Sequence, residues 1–200
     1  MLNDRVSSTA SASYAHAPLT ARHLLTIDEF FALPPSHSHS DIDGGKLRVT
    51  RDERTGQLVE CIIKRRLGDL HVLCPKREVD WRISVNVEEK ADIGLVGGSA
   101  KPLYSRRKDR VEYLHQHFRV DLTQVTDNAG VKVDFPPCSN VCTLTGLQSH
   151  ELEVEFAFPD EVRRVHELKG RDGPETWGYD QLMAVFVNNC RILSRNIIRT

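Results

Sequence analysis

Three glutamates stand at alternate positions in HELEVEF (150–156), with Leu152, Val154 and Phe156 between them. On a β-strand successive side chains point to opposite faces and rise about 3.3 Å per residue, so Glu151, Glu153 and Glu155 would form a carboxylate column with neighbours roughly 7 Å apart. Carboxylate oxygens at that density suit a hard divalent cation. The commoner origin of such alternation is an exposed antiparallel strand with its acidic side in water. Other stretches repeat the pattern with mixed charge. Trp81, Ile83, Val85 and Val87 alternate with Arg82, Ser84, Asn86 and Glu88. Arg106, Lys108, Arg110 and Glu112 share one parity, although Arg107 and Asp109 blur the other. Arg119, Asp121 and Thr123 oppose Val120 and Leu122, Arg48 and Thr50 oppose Leu47 and Val49, and Lys64 follows Cys61, Ile62 and Ile63. One such face alone reads as a solvated sheet surface whose ion pairs are worth little. Together they point to a sheet curled with its polar face inward. A lumen of both signs suits a polyphosphate carrying a metal ion, with Arg and Lys on the phosphate oxygens and carboxylates on the cation.

The elements that must hold these side chains are mostly strands. HLLTIDEFFAL (23–33) reads as a strand, and KLRVT with QLVECIIKRR as a hairpin turning near Thr55-Gly56. DLHVL (69–73), DWRISVNVE (80–88), RRKDRVEYLHQHF (106–118), RVDLTQV (119–125) and HELEVEF follow as further strands. Residues 1–21, rich in Ser, Ala and Thr, read as a loop or frayed, flexible end, and PPSHSHSDIDGG (34–45) as a second loop. His37 and His39 there read as solvated linker rather than metal ligands. GLVGGSAKP (94–102) lacks the Gly-Lys-Ser/Thr ending of a phosphate-binding loop and reads as a connection. Two helices close the chain. PDEVRRVHELKG opens on Pro159 and Asp160 and stops at Gly170. The stretch 175–198 aligns Leu182, Phe186, Leu193 and Ile197 on one stripe, a helix made for packing.

The bulk properties narrow the partners. Two hundred residues suffice for one domain. With 27 Lys and Arg against 28 Asp and Glu, the chain carries no broad basic coat for nucleic acid, so polyanion binding must be local. No run approaches the roughly 20 apolar residues of a membrane helix, and no membrane association is expected. Cys61, Cys74, Cys138, Cys142 and Cys190 are odd in number and irregularly spaced, which fits a reducing compartment. Cys138 and Cys142 are spaced like half a zinc site, but no second pair faces them. None of the five cysteines has the His-Cys setting and Arg-ended loop of a cysteine phosphatase.

In order, LRVTRDERTG, VECIIKRR, DWRISVNVEE, RRKDRVEYLHQHFRVDLTQV and HELEVEF resemble the fungal-type RNA 5′-triphosphatases, the β subunits of mRNA-capping enzymes and members of the triphosphate tunnel metalloenzymes. The resemblance covers about residues 20–200. It implies a mostly β fold, an eight-stranded antiparallel tunnel with a polar lumen packed by C-terminal helices. It also implies removal of the γ-phosphate from nascent mRNA with Mg²⁺ or Mn²⁺, the first step of cap formation. By the resemblance Glu153 and Glu155 are metal ligands, and Glu151 supports them. Arg48, Lys108 and Arg110 hold the phosphates, with Lys64 and Arg119 as further basic residues of the tunnel. Glu88 orients or deprotonates the attacking water, and Asp121 and Thr123 brace the floor. These types fit the chemistry: hydrolysis of a terminal phosphoryl group needs neutralised oxygens and a water in line with the leaving group.

The family also carries an N-terminal Glu-x-Glu strand with two further metal ligands. No such motif stands upstream of Arg48; Asp41 and Asp43 have the spacing but lie in a Gly-flanked loop, and Glu78 and Asp80 come far later. MLNDRV resembles the end of the helix that follows that strand. Relative to the family, the first strand is expected to be absent, the tunnel open on one side, and these 200 residues poorly active alone. The resemblance further implies 5′-triphosphate RNA and an mRNA guanylyltransferase as partners, a homodimer and a nuclear location. A tunnel-family enzyme for inorganic polyphosphate or thiamine triphosphate, or an inactive chain that only binds its capping partner, is the alternative.

Overall fold

The computed structural model of the chain describes residues 2–11, 18–33, 45–97, 100–127, 147–168 and 178–197. Seven strands form one sheet: β1 (Thr20–Ala32), β2 (Lys46–Asp52), β3 (Leu58–Val72), β4 (Trp81–Lys90), β5 (Tyr104–His115), β6 (Phe118–Asp127) and β7 (Leu147–Phe156). Their order is β4-β3-β2-β1-β5-β6-β7, and every neighbouring pair is antiparallel. Helices α1 (Leu2–Ser11), α2 (Pro159–Glu167) and α3 (Tyr179–Arg195) complete the described elements. Among the described residues no helix is long and apolar enough to cross a membrane. His37, His39, Asp41, Asp43, Cys138, Cys142 and Gly170 lie outside the described residues.

The strand alternation sorts the side chains onto two faces. On the outer face Phe31, Leu47, Val49, Cys61 and Ile63 form a buried apolar cluster, closed over by Ala91, Leu95 and Val96. That cover is a 3₁₀ turn, Ile93–Leu95, whose start is fixed by Asp92 Oδ1 accepting from the Gly94 N–H at 2.6 Å. At the other end of the sheet α3 lies on β6 and β7. Phe186 stacks on Phe156 at 4.7 Å and approaches Phe118 at 6.3 Å, and Leu182 is buried. Part of the expected stripe thus meets the sheet as an amphipathic helix should.

Three local expectations need correction. DLHVL is not a separate strand, because β3 runs unbroken for 15 residues from Leu58 to Val72. A bulge between Arg66 and Gly68 takes up one extra residue there, so pairing with β4 continues past the glycine. The stretch 106–118 is not one strand either. Gln116 turns at φ 52°, and the Gln116-His117 turn sends the chain back as β6. Finally, residues 2–11 are helical rather than a loop or frayed end, in keeping with the resemblance of MLNDRV to the end of a helix. The contacts that seat this helix are long-range: the Tyr113 hydroxyl donates to Asn3 Oδ1 at 2.6 Å, and Thr9 Oγ1 accepts from the Leu19 N–H at 3.1 Å.

Candidate functional site

Register alone brings the charged residues together. On β7 and β6, Glu155, Glu153 and Glu151 face Arg119, Asp121 and Thr123. On β5 the next partners are Glu112 opposite Asp121 and Arg110 opposite Thr123, followed by Lys108 and Arg106. Thr26 and Asp28 of β1 oppose Lys108 and Arg106; Asp28 in turn opposes Thr50 of β2, and Phe30 opposes Arg48. Lys46 pairs with Lys64 of β3, which pairs with Glu88 of β4. Glu88, Arg48, Lys64, Lys108, Arg110, Arg119, Asp121, Thr123, Glu151, Glu153 and Glu155 therefore all share the inner face. The sheet curls enough to bury it: Asp121 is 1% exposed and Asp28 2%. The curl is also felt electrostatically. Burial pushes the Glu88 carboxyl up, but Lys64 at 2.8 Å and the charges of Arg48 and Arg119 bring it below its ordinary value. Arg119 stands on β6, so β4 has come round within reach of the far side of the sheet.

Each carboxylate of the column is held by an arginine. Arg106 Nη2 lies 2.8 Å from Glu151, Arg110 Nη2 3.5 Å from Glu153, and Arg119 donates to Glu155. Arg110 is a hub, since its Nε also donates to Thr123 Oγ1 at 3.1 Å and its Nη1 lies 2.9 Å from Asp121 Oδ2. Two buried aspartates titrate in opposite directions. Burial raises Asp28, but the Lys108 ammonium at 2.7 Å, the Thr50 hydroxyl at 2.7 Å and the Arg48 charge overcome it, leaving the pKa lowered. Burial dominates at Asp121, whose pKa rises to about 6 although Arg110 and Arg119 are beside it, because Glu155 and Glu112 oppose a further negative charge.

Among the described residues, three arginine Nε atoms on this face are closed off from solvent. The buried Nε atoms of Arg48, Arg106 and Arg119 make no hydrogen bond within the protein, although Arg106 Nε has Asp127 at 3.3 Å and Arg119 Nε has Asp121 at 3.4 Å. Closed off from solvent, these atoms do not meet a ligand as the face stands; the donors that suit phosphate oxygens are the basic side chains lining the face, Arg as a planar fork and Lys as a point charge.

Sequence reasoning assigned no role to several residues that build the site. Asp28 anchors Lys108; Glu60 accepts from Arg48 at 2.7 Å; Arg22 grips the buried Glu112 through two hydrogen bonds of 2.6 and 3.1 Å. Arg22 and Asp28 do share a parity, but Leu24 and Thr26 stand between them and hide it. The blurred parity at Arg107 and Asp109 also resolves. Both point outward, Arg107 to Glu53 and Asp109 to His23, each at 2.6 Å.

Glu153 and Glu155, two residues apart on β7 and about 40% exposed at the side chain, offer only oxygen donors. Among the described residues no three His, Cys, Asp or Glu side chains converge as a metal-binding group. Magnesium is commonly held by one or two carboxylates plus phosphate and water, and manganese favours the same oxygen donors, so this pair fits either ion when a phosphate completes the shell.

The sequence of residues 1–199 matches the family model described as mRNA capping enzyme, beta chain. It is 31% identical over 178 residues to the mRNA-capping enzyme subunit beta of Schizosaccharomyces pombe, covering 89% of this chain and 52% of that protein. Against the subunit of the same name from Cryptococcus neoformans var. neoformans it is 35% identical over 161 residues, 80% of this chain and 36% of that one. The chain thus spans about half the length of the former relative and about a third of the latter. Its fold matches the S. pombe Pct1 RNA triphosphatase, solved in complex with the Spt5 CTD, with a TM-score of 0.75 at 28% identity, over 98% of this chain and 66% of that one. Pct1 solved without that partner gives a TM-score of 0.73 at 29% identity.

Proposed function

Because the chain belongs to the mRNA capping enzyme beta-chain family, we propose that its inner face carries out metal-dependent release of the γ-phosphate from 5′-triphosphate RNA, the first step of cap formation. The observation that carries this reading is the convergence by register of Arg48, Lys64, Lys108, Arg110 and Arg119 with Glu153 and Glu155 on one inner face. Arg48, Lys64, Lys108, Arg110 and Arg119 bind the phosphate oxygens and neutralise the charge that shifts onto them as the terminal bond breaks. Glu153 and Glu155 would hold Mg²⁺ or Mn²⁺, which would supply Lewis-acid chemistry to phosphoryl transfer. Glu151 and Arg106 support that pair through their ion pair at 2.8 Å. Glu88 orients the attacking water or takes its proton; its lowered pKa keeps it ionised, which suits accepting a hydrogen bond from that water while weakening it as a base. Asp121 and Thr123 brace Arg110, so that its planar fork points at the phosphates.

The same reading assigns an mRNA guanylyltransferase as partner, a nuclear location and a homodimer. The S. pombe relative solved with the Spt5 CTD makes that segment a further partner class to test. A substrate panel separates the readings within this chemistry. Release from 5′-triphosphate RNA well above release from thiamine triphosphate and inorganic polyphosphate supports capping. The reverse order favours another tunnel-type phosphatase.

A further inference from the structure

An aromatic pair stands where the inner face should be polar. Phe30 and Tyr104 are cross-strand partners on β1 and β5, with rings stacked at 4.4 Å and 14° between planes. The adjacent Phe31 points the other way and is buried in the outer core. Core packing therefore accounts for Phe31, while the neighbouring Phe30 shares its face with Arg48, its partner on β2. Lys46 completes the group: its Nζ lies 4.9 Å from the Tyr104 ring centroid and 3.5 Å from the hydroxyl. Both rings remain partly exposed. An aromatic pair here also steadies the β1–β5 pairing, but that role alone would be served as well on the outer face.

Position along the strands gives the pair a meaning. Phe30 is two residues beyond Asp28, which anchors Lys108, and Tyr104 is two beyond Arg106 and four beyond Lys108. At the rise of a strand these offsets are roughly 7 and 13 Å, the order of length of an extended triphosphate with its ribose. Aromatic rings next to cations at such a distance form the usual platform for a single-stranded base, with the ring taking the π-face and Lys the backbone phosphate. We propose that Phe30, Tyr104 and Lys46 form the subsite for the first nucleoside of the 5′-triphosphate RNA, its base stacking on the rings while the phosphates run along the face toward Lys108 and Arg110. The proposal rests on the triphosphatase reading. It also fixes direction, because the RNA must then leave at the Phe30–Tyr104 end and not at the Arg22–Glu112 end of the sheet.

The test uses RNA whose first base is 2-aminopurine and whose 5′-triphosphate carries a β,γ-imido link, so that it binds with Mg²⁺ and is not hydrolysed. Fluorescence of that base should be quenched on binding. The double substitution Phe30→Leu, Tyr104→Leu should abolish the quench and weaken RNA binding at least about five-fold, the low end for one stacked base. Tyr104→Phe should keep both. Competition by inorganic tripolyphosphate, which has no base, should be unchanged in every variant. An undiminished quench in the double variant overturns the proposal. So does an equal loss of tripolyphosphate affinity, which would mean the rings only support the sheet. If the unsubstituted protein binds neither RNA nor tripolyphosphate, the triphosphatase reading itself has failed, and the subsite falls with it.

Discussion

Asp28 and Asp121 show how one face can tune identical side chains in opposite directions, and each gives a measurable consequence. Asp28 is buried against Lys108, whose own side chain is 11% exposed, so removing the carboxylate strands an ammonium. Asp28→Ala should destabilise the fold by about 3–5 kcal/mol in chemical unfolding, as breaking a buried pair does; a loss below 1 kcal/mol would show the pair to be dispensable. At Asp121 the folded pKa, about 6, lies above its ordinary value of 3.8. The folded state therefore holds the proton longer than the unfolded state. Stability from this group is full below about pH 4 and is lost as the pH rises toward 6. Asp121→Asn should flatten that stretch of the stability profile, read from urea unfolding at pH 4, 5 and 6. An unchanged slope would mean that Asp121 ionises normally. Arg110 meets three partners on separate nitrogens, an arrangement a lysine cannot copy. Arg110→Lys should accordingly lower kcat/KM for triphosphate RNA by ten-fold or more in steady-state kinetics, despite the retained charge.

At the scale of the element, β5 presents its candidate site residues on one parity only. Arg106 points inward to Glu151 and Asp127, whereas Arg107 points outward to Glu53. Arg106→Ala should reduce phosphate release. Arg107→Ala breaks a pair that is exposed at the arginine, so it should cost under about 1 kcal/mol and leave release unchanged. Equal effects from the two substitutions, measured by the same release assay and unfolding titration, would deny that parity sorts function. Parity is also what the sequence displayed best. Alternation in 80–88, 106–112 and 119–123 was enough to collect six candidate residues onto one face, and that in 47–50 and 150–156 added Arg48 and the three glutamates. Where alternation failed as a guide, the cause was local. A bulge at Leu67 let β3 continue through a glycine that looked like a break, and the uncharged Leu24 and Thr26 masked the parity linking Arg22 to Asp28. Helix α1 left no periodic mark because Asn3 and Thr9 dock through single polar contacts to Tyr113 and Leu19.

Across the whole molecule, the inner face acts as a unit because the sheet curls, so that the charge of Arg119 on β6 is felt at Glu88 on β4. No composition reading could supply that curl, which depends on strand order and twist rather than on any one segment. On the proposed reading, phosphates, metal and attacking water would meet residues from six of the seven strands, β2 through β7, with β1 contributing the Asp28 anchor. A ligand bridging so many strands stabilises the folded state by mass action, so tripolyphosphate with Mn²⁺ should raise the Tm more than either does alone. The most direct test is release of label from RNA carrying a γ-³²P 5′-triphosphate, with Mg²⁺ or Mn²⁺ and with chelator, for the unsubstituted protein and for Glu153→Ala and Glu155→Ala. The expected result is orthophosphate and 5′-diphosphate RNA only when metal is present, with release lost in both variants while their folded spectra persist. Release at an undiminished rate in chelator, or in either glutamate variant at limiting Mn²⁺, would contradict the assignment of this face as a metal-dependent triphosphatase site.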